Sequence, residues 1–330
     1  MAQTTPRWKI AAPLVLMLLL LVGWSVYWWL AVSFARNTLA AERGRIAKEI
    51  SLACDSEDWG GYPYRIMFTC TGATVTLHRE GATVQAPELA LLVQAYNLNH
   101  IIVRLTGPTS FFQSWQNLAL TARHQPAVTG IKMSGGKLLQ ASMRVKALTV
   151  TEGAATRFAA AEFGVQTRPS PNRGKAVDIA LQGKDVTITP APAPPVKLNT
   201  LNARLSTDKW PAGLITNFAE FARRAAGTGT QFTLDQFHAD AGPVSATATG
   251  NATIMPDGTV TGALKTNVQN IEAFLDDLKA RGLISKSQAK AANALLGLFT
   301  TADGVATDLR LQDGQIYWGP IKLGRQAPLF

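Results

Sequence analysis

One constellation stands out for chemistry: the run Trp59-Gly60-Gly61-Tyr62-Pro63-Tyr64-Arg65-Ile66, placed between Cys54 and Cys70. Paired glycines permit tight backbone geometry, proline fixes the approach to a strand, and rings flank an arginine whose planar fork suits a carboxylate, a phosphate or a ring face. Two uses are open to it. One is a loop folded against the first strand with Arg65 capping backbone carbonyls; the other is an anionic headgroup site beside a membrane. The two cysteines stand sixteen positions apart. In an oxidising compartment they are expected to form a disulfide, closing a short loop that contributes about 3 kcal/mol. Two buried thiols are the other outcome, and a metal site is disfavoured because no second Cys pair or His pair completes a tetrahedron.

The remaining polar residues do not assemble a reaction centre on paper. His78, His100, His124 and His238 are scattered, without HxxxH or HxH spacing. There is no Gly-x-Ser-x-Gly elbow, and Gly135-Gly136-Lys137 is followed by Leu138 rather than the Ser or Thr of a phosphate loop. Asp276 and Asp277 are adjacent, so on a helix they point in different directions. The expectation is a protein that is not an enzyme, with no cofactor and no metal.

These residues need elements to position them. From Ile10 to Val32 there are 23 uncharged residues, which at about 1.5 Å rise each exceed the roughly 30 Å of a bilayer core. Arg7 and Lys9 precede them and no acidic residue occurs before Glu42, an asymmetry that puts the N-terminus in the cytoplasm. Trp24, Tyr27, Trp28 and Trp29 cluster toward the far end and read as an interfacial anchor. Thr38-Leu39-Ala40 resembles a cleavage site, but the apolar region is longer than the core of a signal peptide. An uncleaved anchor is therefore expected.

Asn37 to Ala53 carries an approximate helical stripe, so a helix is expected to continue out of the membrane. Then the texture turns to short β-like runs: Arg65–Thr69, Ala73–His78, Glu88–Gln94, His100–Leu105, Lys137–Val150, Phe158–Gln166, Ala176–Leu181 and Asp185–Thr189. Short turns between them argue an antiparallel meander rather than βαβ units. Pro190-Ala191-Pro192-Ala193-Pro194-Pro195 interrupts the pattern as a linker or edge crossing. Beyond it, Leu198–Leu205 reads as a strand and Ile215–Ala226 as a helix. Asn251–Met255 and Thr259–Thr266 form a hairpin about Pro256-Asp257-Gly258, and Asn267–Ala280 and Ser285–Phe299 are expected as a helical hairpin. Val305–Leu311 and Gln315–Leu323 close the chain as another β-hairpin about Asp313-Gly314.

The fold class is thus α+β: an N-terminal transmembrane helix, then a β-rich extracytoplasmic region with a long curved antiparallel sheet and a C-terminal helical hairpin. The expected divisions are 1–36, cytoplasmic N-terminus and anchor; 37–189, juxtamembrane helix and first β-rich layer; 190–197, Pro-rich linker; 198–330, second β-rich layer. Charged residues make up 16% of the 330 and apolar ones 47%, against roughly 25% charged in an average protein. That excludes disorder and collagen-like repetition. The net charge of +10 is spread thinly and no aromatics interleave with a basic cluster, so no nucleic-acid partner is expected.

Cys54, Gly61, Tyr62, Pro63, Tyr64, Arg65, Ile66 and Cys70, with the closing stretch Leu309–Gly324 and Pro328-Leu329, resemble the alphaproteobacterial envelope family called domain of unknown function 2125. Tyr64 stands where that family's pattern would have Phe. The resemblance implies a bacterial inner-membrane protein, single-pass, with the bulk of the chain periplasmic, and the strand texture is similar to AsmA-like lipid-transfer proteins. Two functions follow as expectations. The first is binding or handing on a lipid or other hydrophobic envelope molecule. The second is a non-catalytic scaffold that docks another envelope protein. Partners are then the inner membrane and a lipid or envelope protein. A filled apolar sheet face favours the second function; an open groove favours the first.

Overall fold

A computed structural model describes residues 8–115, 117–135, 137–171, 176–189, 194–209, 218–282, 284–287, 289–290, 294, 300–301, 304–319 and 321–330. The chain opens with the helix α1 (Trp8–Ile46), of which Ala12–Ile46 is long and apolar enough to cross a membrane. Leu14 to Val22 are exposed all round it, and a helix with no polar face needs an apolar surround. The helical stripe after the apolar run belongs to this same helix but ends sooner than expected. Ile50–Ala53 is strand β1, because pairing Ile50 with Leu77 and Leu52 with Val75 satisfies both backbone and side chains there.

Among the described residues, nineteen strands join one sheet, and every pairing is antiparallel. β1 and β2 (Ser56–Gly60) lie end to end along one side of β3 (Arg65–Leu77), with Cys54 disulfide-bonded to Cys70 at their junction. β4 (Ala82–Gln94) takes the other side of β3, and its own far side is shared by β5 (Asn97–Thr106) and β6 (Thr109–Gln113). β7 (Leu118–Arg123) pairs with β6 and β8 (Ala127–Ser134) with β5; both then rest on β9 (Lys137–Glu152). From β9 the sheet is a plain meander through β10 (Ala155–Pro169), β11 (Val177–Ile188) and β12 (Val196–Thr207). It continues after α2 (Phe218–Thr228) with β13 (Gln231–Ala241), β14 (Val244–Ile254) and β15 (Val260–Gln269).

Pro190 to Ala193 lie outside the described residues, yet β11 and β12 on either side of them are paired from Val177↔Thr207 to Ile188↔Val196. The sheet runs unbroken across that proline stretch. Ile215 to Asn217 of the expected helix also lie outside the described residues.

At the C-terminal end the structure corrects three expectations. Asn267–Gln269 stay in β15, because Asn270 adopts a left-handed conformation (φ 56°, ψ 60°) and its side chain accepts from the Ala273 N–H, starting helix α3 (Ile271–Ala280) only there. The expected helical hairpin is not part of the described fold: its second arm, Ser285–Phe299, falls mostly outside the described residues, with one helical bond, Ala289 N to Ser285 O, at its start. After β16 (Thr300–Thr301) and β17 (Gly304–Gln312), the stretch Gln315–Leu323 is two strands, not one. β18 (Gln315–Trp318) turns at Gly319, φ 54°, into β19 (Ile321–Arg325). Asp313-Gly314 does form the expected turn, both at positive φ.

Among the described residues, buried apolar side chains gather in three small clusters. α1 covers Phe68, Cys70 and Ala73 through Leu39. α2 buries Ala222 and Ala225 against Ile254 and Phe232, and α3 packs Phe274 and Leu275 over Val268, Val305 and Trp318.

Candidate functional site

The Gly61–Arg65 loop is held by its own backbone first. Arg65 N–H donates to Gly61 O at 3.0 Å and Ala95 N–H to Tyr64 O at 3.0 Å. Gly61 has φ +99°, and a Cβ there would lie 2.5 Å from Arg65 O, so only glycine fits. The Tyr62–Pro63 peptide bond is cis.

Helix α1 then clasps this loop with the aromatic residues that composition alone assigns to an interface. Trp24 Nε1 donates to Pro63 O at 2.9 Å and Trp28 Nε1 to Arg65 O at 3.0 Å. Tyr27 donates its hydroxyl to Ala95 O at 2.7 Å, and Ser25 Oγ shares a hydrogen bond with the Tyr62 hydroxyl at 2.9 Å. The Trp28 and Tyr62 rings meet edge to face at 5.4 Å. Trp29 is 64% exposed on the other side of the helix. Farther along, the Arg36 guanidinium sits 5.4 Å over the Trp59 ring, and Arg43 sits over Phe68 while pairing with Glu57 at 2.7 Å.

The structure therefore divides the expected motif. Trp59 belongs to β2, packed at a tilt against Phe68 with ring centroids 5.0 Å apart, rather than flanking Arg65. The Arg65 side chain is exposed and, among the described residues, makes no ion pair and caps no carbonyl; its own carbonyl is the group that is held. Tyr64 and Tyr96 stand beside it, 70% and 69% exposed, around a hollow of about 320 Å³ floored by Leu92, Val93 and Ile102. Tyr96 and Ala95 carried no signal of their own in the sequence. Only the β4–β5 turn brings them to the loop.

A second feature emerges from the register. Residues opposite one another on paired strands share a face. One row runs Ile66–Val93–Ile101–Ile131–Ala141–Thr167, and continues Ile179–Leu205–Leu234–Gly250–Leu264–Leu309–Trp318. These thirteen residues lie on thirteen successive strands, a contour of about 60 Å at the usual strand spacing. Thr167 is the only polar side chain among them. On the opposite face, a row three residues along reads Val128–Arg144–Gly164–Gln182–Asn202–His238–Thr247–Asn267, while nearer the loop that face carries Met67, Leu92 and Ile102. One face is thus apolar from the clasped loop to the C-terminal strands, and the other is mainly polar from β9 onward.

The principal helix contacts fall on β1, β3 and β14, so the apolar face is covered at its two ends and least in the middle. Ile179, Leu181 and Leu205 are half-buried there and Met143 is 38% exposed. Toward the C-terminal end the face opens into a groove of about 590 Å³, floored by Phe237, Ala248 and Leu264 and walled by Phe274, Leu278 and Trp318. That volume is within the roughly 300–1,000 Å³ typical of small-molecule sites. The Trp318 indole donates to Thr266 Oγ1 at 2.9 Å, which leaves its ring edge free to wall an apolar space. Arg281 pins the end of α3: it pairs with Asp277 at 2.5 Å and donates to the carbonyls of Pro194 and Pro195 at 3.1 and 2.9 Å. The Asp277 hydrogen bond raises the Arg281 pKa further, keeping that clamp charged.

The polar face holds the titratable contacts. Asp240 accepts from the Thr200 hydroxyl and lies 3.0 Å from His238 Nε2; the Thr200 bond, then Ser245 and His238, hold its pKa below the usual carboxylate value. Among the described residues no three His, Cys, Asp or Glu side chains gather as a metal site. The remaining histidines are dispersed: His78 bonds Ser51, His124 bonds Thr109, and His100 borders the polar face.

Comparison with known proteins adds one positive finding. A family model described as an uncharacterized protein conserved in bacteria (DUF2125) matches residues 28–327. No curated protein and no solved structure matches the chain.

Proposed function

The chain belongs to the domain of unknown function 2125 family, and on that premise we propose that it holds or hands on a lipid, or another hydrophobic envelope molecule, along the apolar face of its sheet. In this reading α1 is an uncleaved inner-membrane anchor and the sheet lies in the periplasm, an assignment supported by the disulfide and by the basic residues before the apolar run. The observation that carries the proposal is the apolar row from Ile66 to Trp318 ending in an open groove of about 590 Å³. A scaffold needs no such void; its apolar face would be filled by side chains or by a second layer. Each methylene kept out of water by the groove is worth about 0.8 kcal/mol, so such a groove shelters an acyl chain that has left the bilayer.

The test is mass spectrometry of the full chain, extracted from membranes with its surrounding lipid and compared with Ala248→Phe. Ala248 is on the groove floor, so the added ring occupies ligand space without touching α1. At least one lipid fewer per chain in the variant supports the reading. Identical lipid counts, with both proteins folded and oxidised, overturn it.

A further inference from the structure

We propose that the loop Gly61–Arg65 and the β4–β5 turn together form a membrane seat, in which Tyr64, Tyr96 and Leu98 enter the outer-leaflet headgroup layer and Arg65 binds a lipid phosphate. This rests on α1 being an anchor, as above, but not on any occupant of the distal groove.

Height is the first support. The last charged residue before the apolar run is Lys9, and from Lys9 to Trp28 a helix climbs about 28 Å, close to the roughly 30 Å of a hydrocarbon core. The four clasp hydrogen bonds join the loop to Trp24, Ser25, Tyr27 and Trp28. The loop is thereby fixed at the far hydrocarbon boundary and cannot stand off from the bilayer. Composition is the second. At that level the protein exposes Tyr62 (52%), Tyr64 (70%), Tyr96 (69%) and Leu98 (48%), beside the outward-facing Trp29. Rings with a polar tip are the side chains that headgroup depth favours. Charge is the third. Arg65 is exposed beside Tyr64 and Tyr96 with no carboxylate partner among the described residues, while its aliphatic stem lies over Gly61. A guanidinium held at phosphate depth without a protein counter-ion matches a phosphate by charge and by its fork geometry. The surface is continuous with the membrane helix itself, so the occupant is the bilayer surface rather than a protein. Val93 belongs both to the seat's hollow and to the apolar row, so the seat lies at the membrane end of that row.

The experiment uses the full chain, oxidised, in phosphatidylcholine vesicles with and without phosphatidylglycerol. A spin label is placed by Tyr96→Cys, with Asp313→Cys in the β17–β18 turn as reference, and depth is read from relaxation by oxygen and by a water-soluble nickel complex. The expected result is oxygen-rich, nickel-poor exposure at position 96 and aqueous exposure at position 313. Equal aqueous exposure at both overturns the seat. In a second arm, lipids retained by the chain are counted. A single surface cation near the bilayer is worth a factor of about five, so about fivefold enrichment of phosphatidylglycerol over phosphatidylcholine is expected, lost in Arg65→Ala and kept in Arg65→Lys. Enrichment that survives Arg65→Ala removes Arg65 from the proposal. The Ala248→Phe comparison reads the distal groove, so a groove that fails leaves this result standing, and the reverse holds too.

Discussion

Replacing Trp24 and Trp28 together by phenylalanine keeps two apolar rings on α1 and removes two indole N–H donors, those to Pro63 O and Arg65 O. Each intramolecular hydrogen bond contributes about 1 kcal/mol net, and both acceptors are backbone carbonyls of the loop. The pair therefore stabilises the clasped loop by about 2 kcal/mol, a factor of about thirty in its opening equilibrium. The loop's own amides report that opening, because Arg65 N–H bonds Gly61 O and Ala95 N–H bonds Tyr64 O. Hydrogen exchange by mass spectrometry, on peptides covering Gly61–Ile66 and Val93–Leu98, should show exchange about thirtyfold faster in the double variant. Peptides from β13 to β15 should be unchanged. Trp29→Phe, which alters an outward-facing ring, serves as control. Unchanged exchange in the loop peptides of the double variant would refute the clasp as a source of stability.

Reducing the Cys54–Cys70 bond, or replacing both residues by serine, releases a sixteen-residue constraint; about 3 kcal/mol should be lost, which thermal unfolding would register as a midpoint roughly 6 °C lower. A midpoint insensitive to reductant contradicts this. Gly61→Ala forces a Cβ to within 2.5 Å of Arg65 O at φ +99°, costing about 1–3 kcal/mol and loosening the same loop peptides; wild-type exchange in that variant would show the turn to be more tolerant than its geometry indicates. Arg281→Ala removes the charged clamp on the Pro194 and Pro195 carbonyls, so α3 amides should exchange faster by a factor set by about 2 kcal/mol, with the lipid count of the groove reduced. Protection of α3 equal to wild type would mean that Phe274 and Leu275 hold it alone.

Much of the fold is legible in the sequence, and for stated reasons. The apolar run of α1 is a hydropathy signal too long for a core helix, and the strands from Lys137 to Thr207 show period-two alternation with turn residues at their ends. β2 escapes detection because Ser56-Glu57-Asp58 has no apolar face; it is a strand only because β3 offers it a partner. Ile50–Ala53 reads as helix by its stripe, yet cross-strand pairing outweighs that local preference. The clasp is hidden for a different reason. A tryptophan at a lipid interface and one docked on a loop carry the same composition signal, and only three-dimensional proximity tells Trp28 from Trp29. The apolar row is hidden because bulges reset parity. The register shifts between Arg204 and Leu205 in the β12–β13 pair and between Leu234 and Phe237 in the β13–β14 pair, and each such irregularity moves the residues beyond it to the other face. No reading of one strand at a time can align Ile66 with Trp318.

The measurement that tests the central claim most directly is photo-crosslinking inside living cells, with a benzophenone side chain placed at Leu181 or Leu264 on the apolar face and at Gln182 or Asn202 on the polar face. Leu181 and Gln182 are neighbours in β11 that point to opposite sides of one sheet. Lipid adducts at Leu181 and Leu264, and none at Gln182 and Asn202, are what a lipid-bearing apolar face predicts. Adducts to protein at the apolar positions, or lipid adducts equally on both faces, would contradict it.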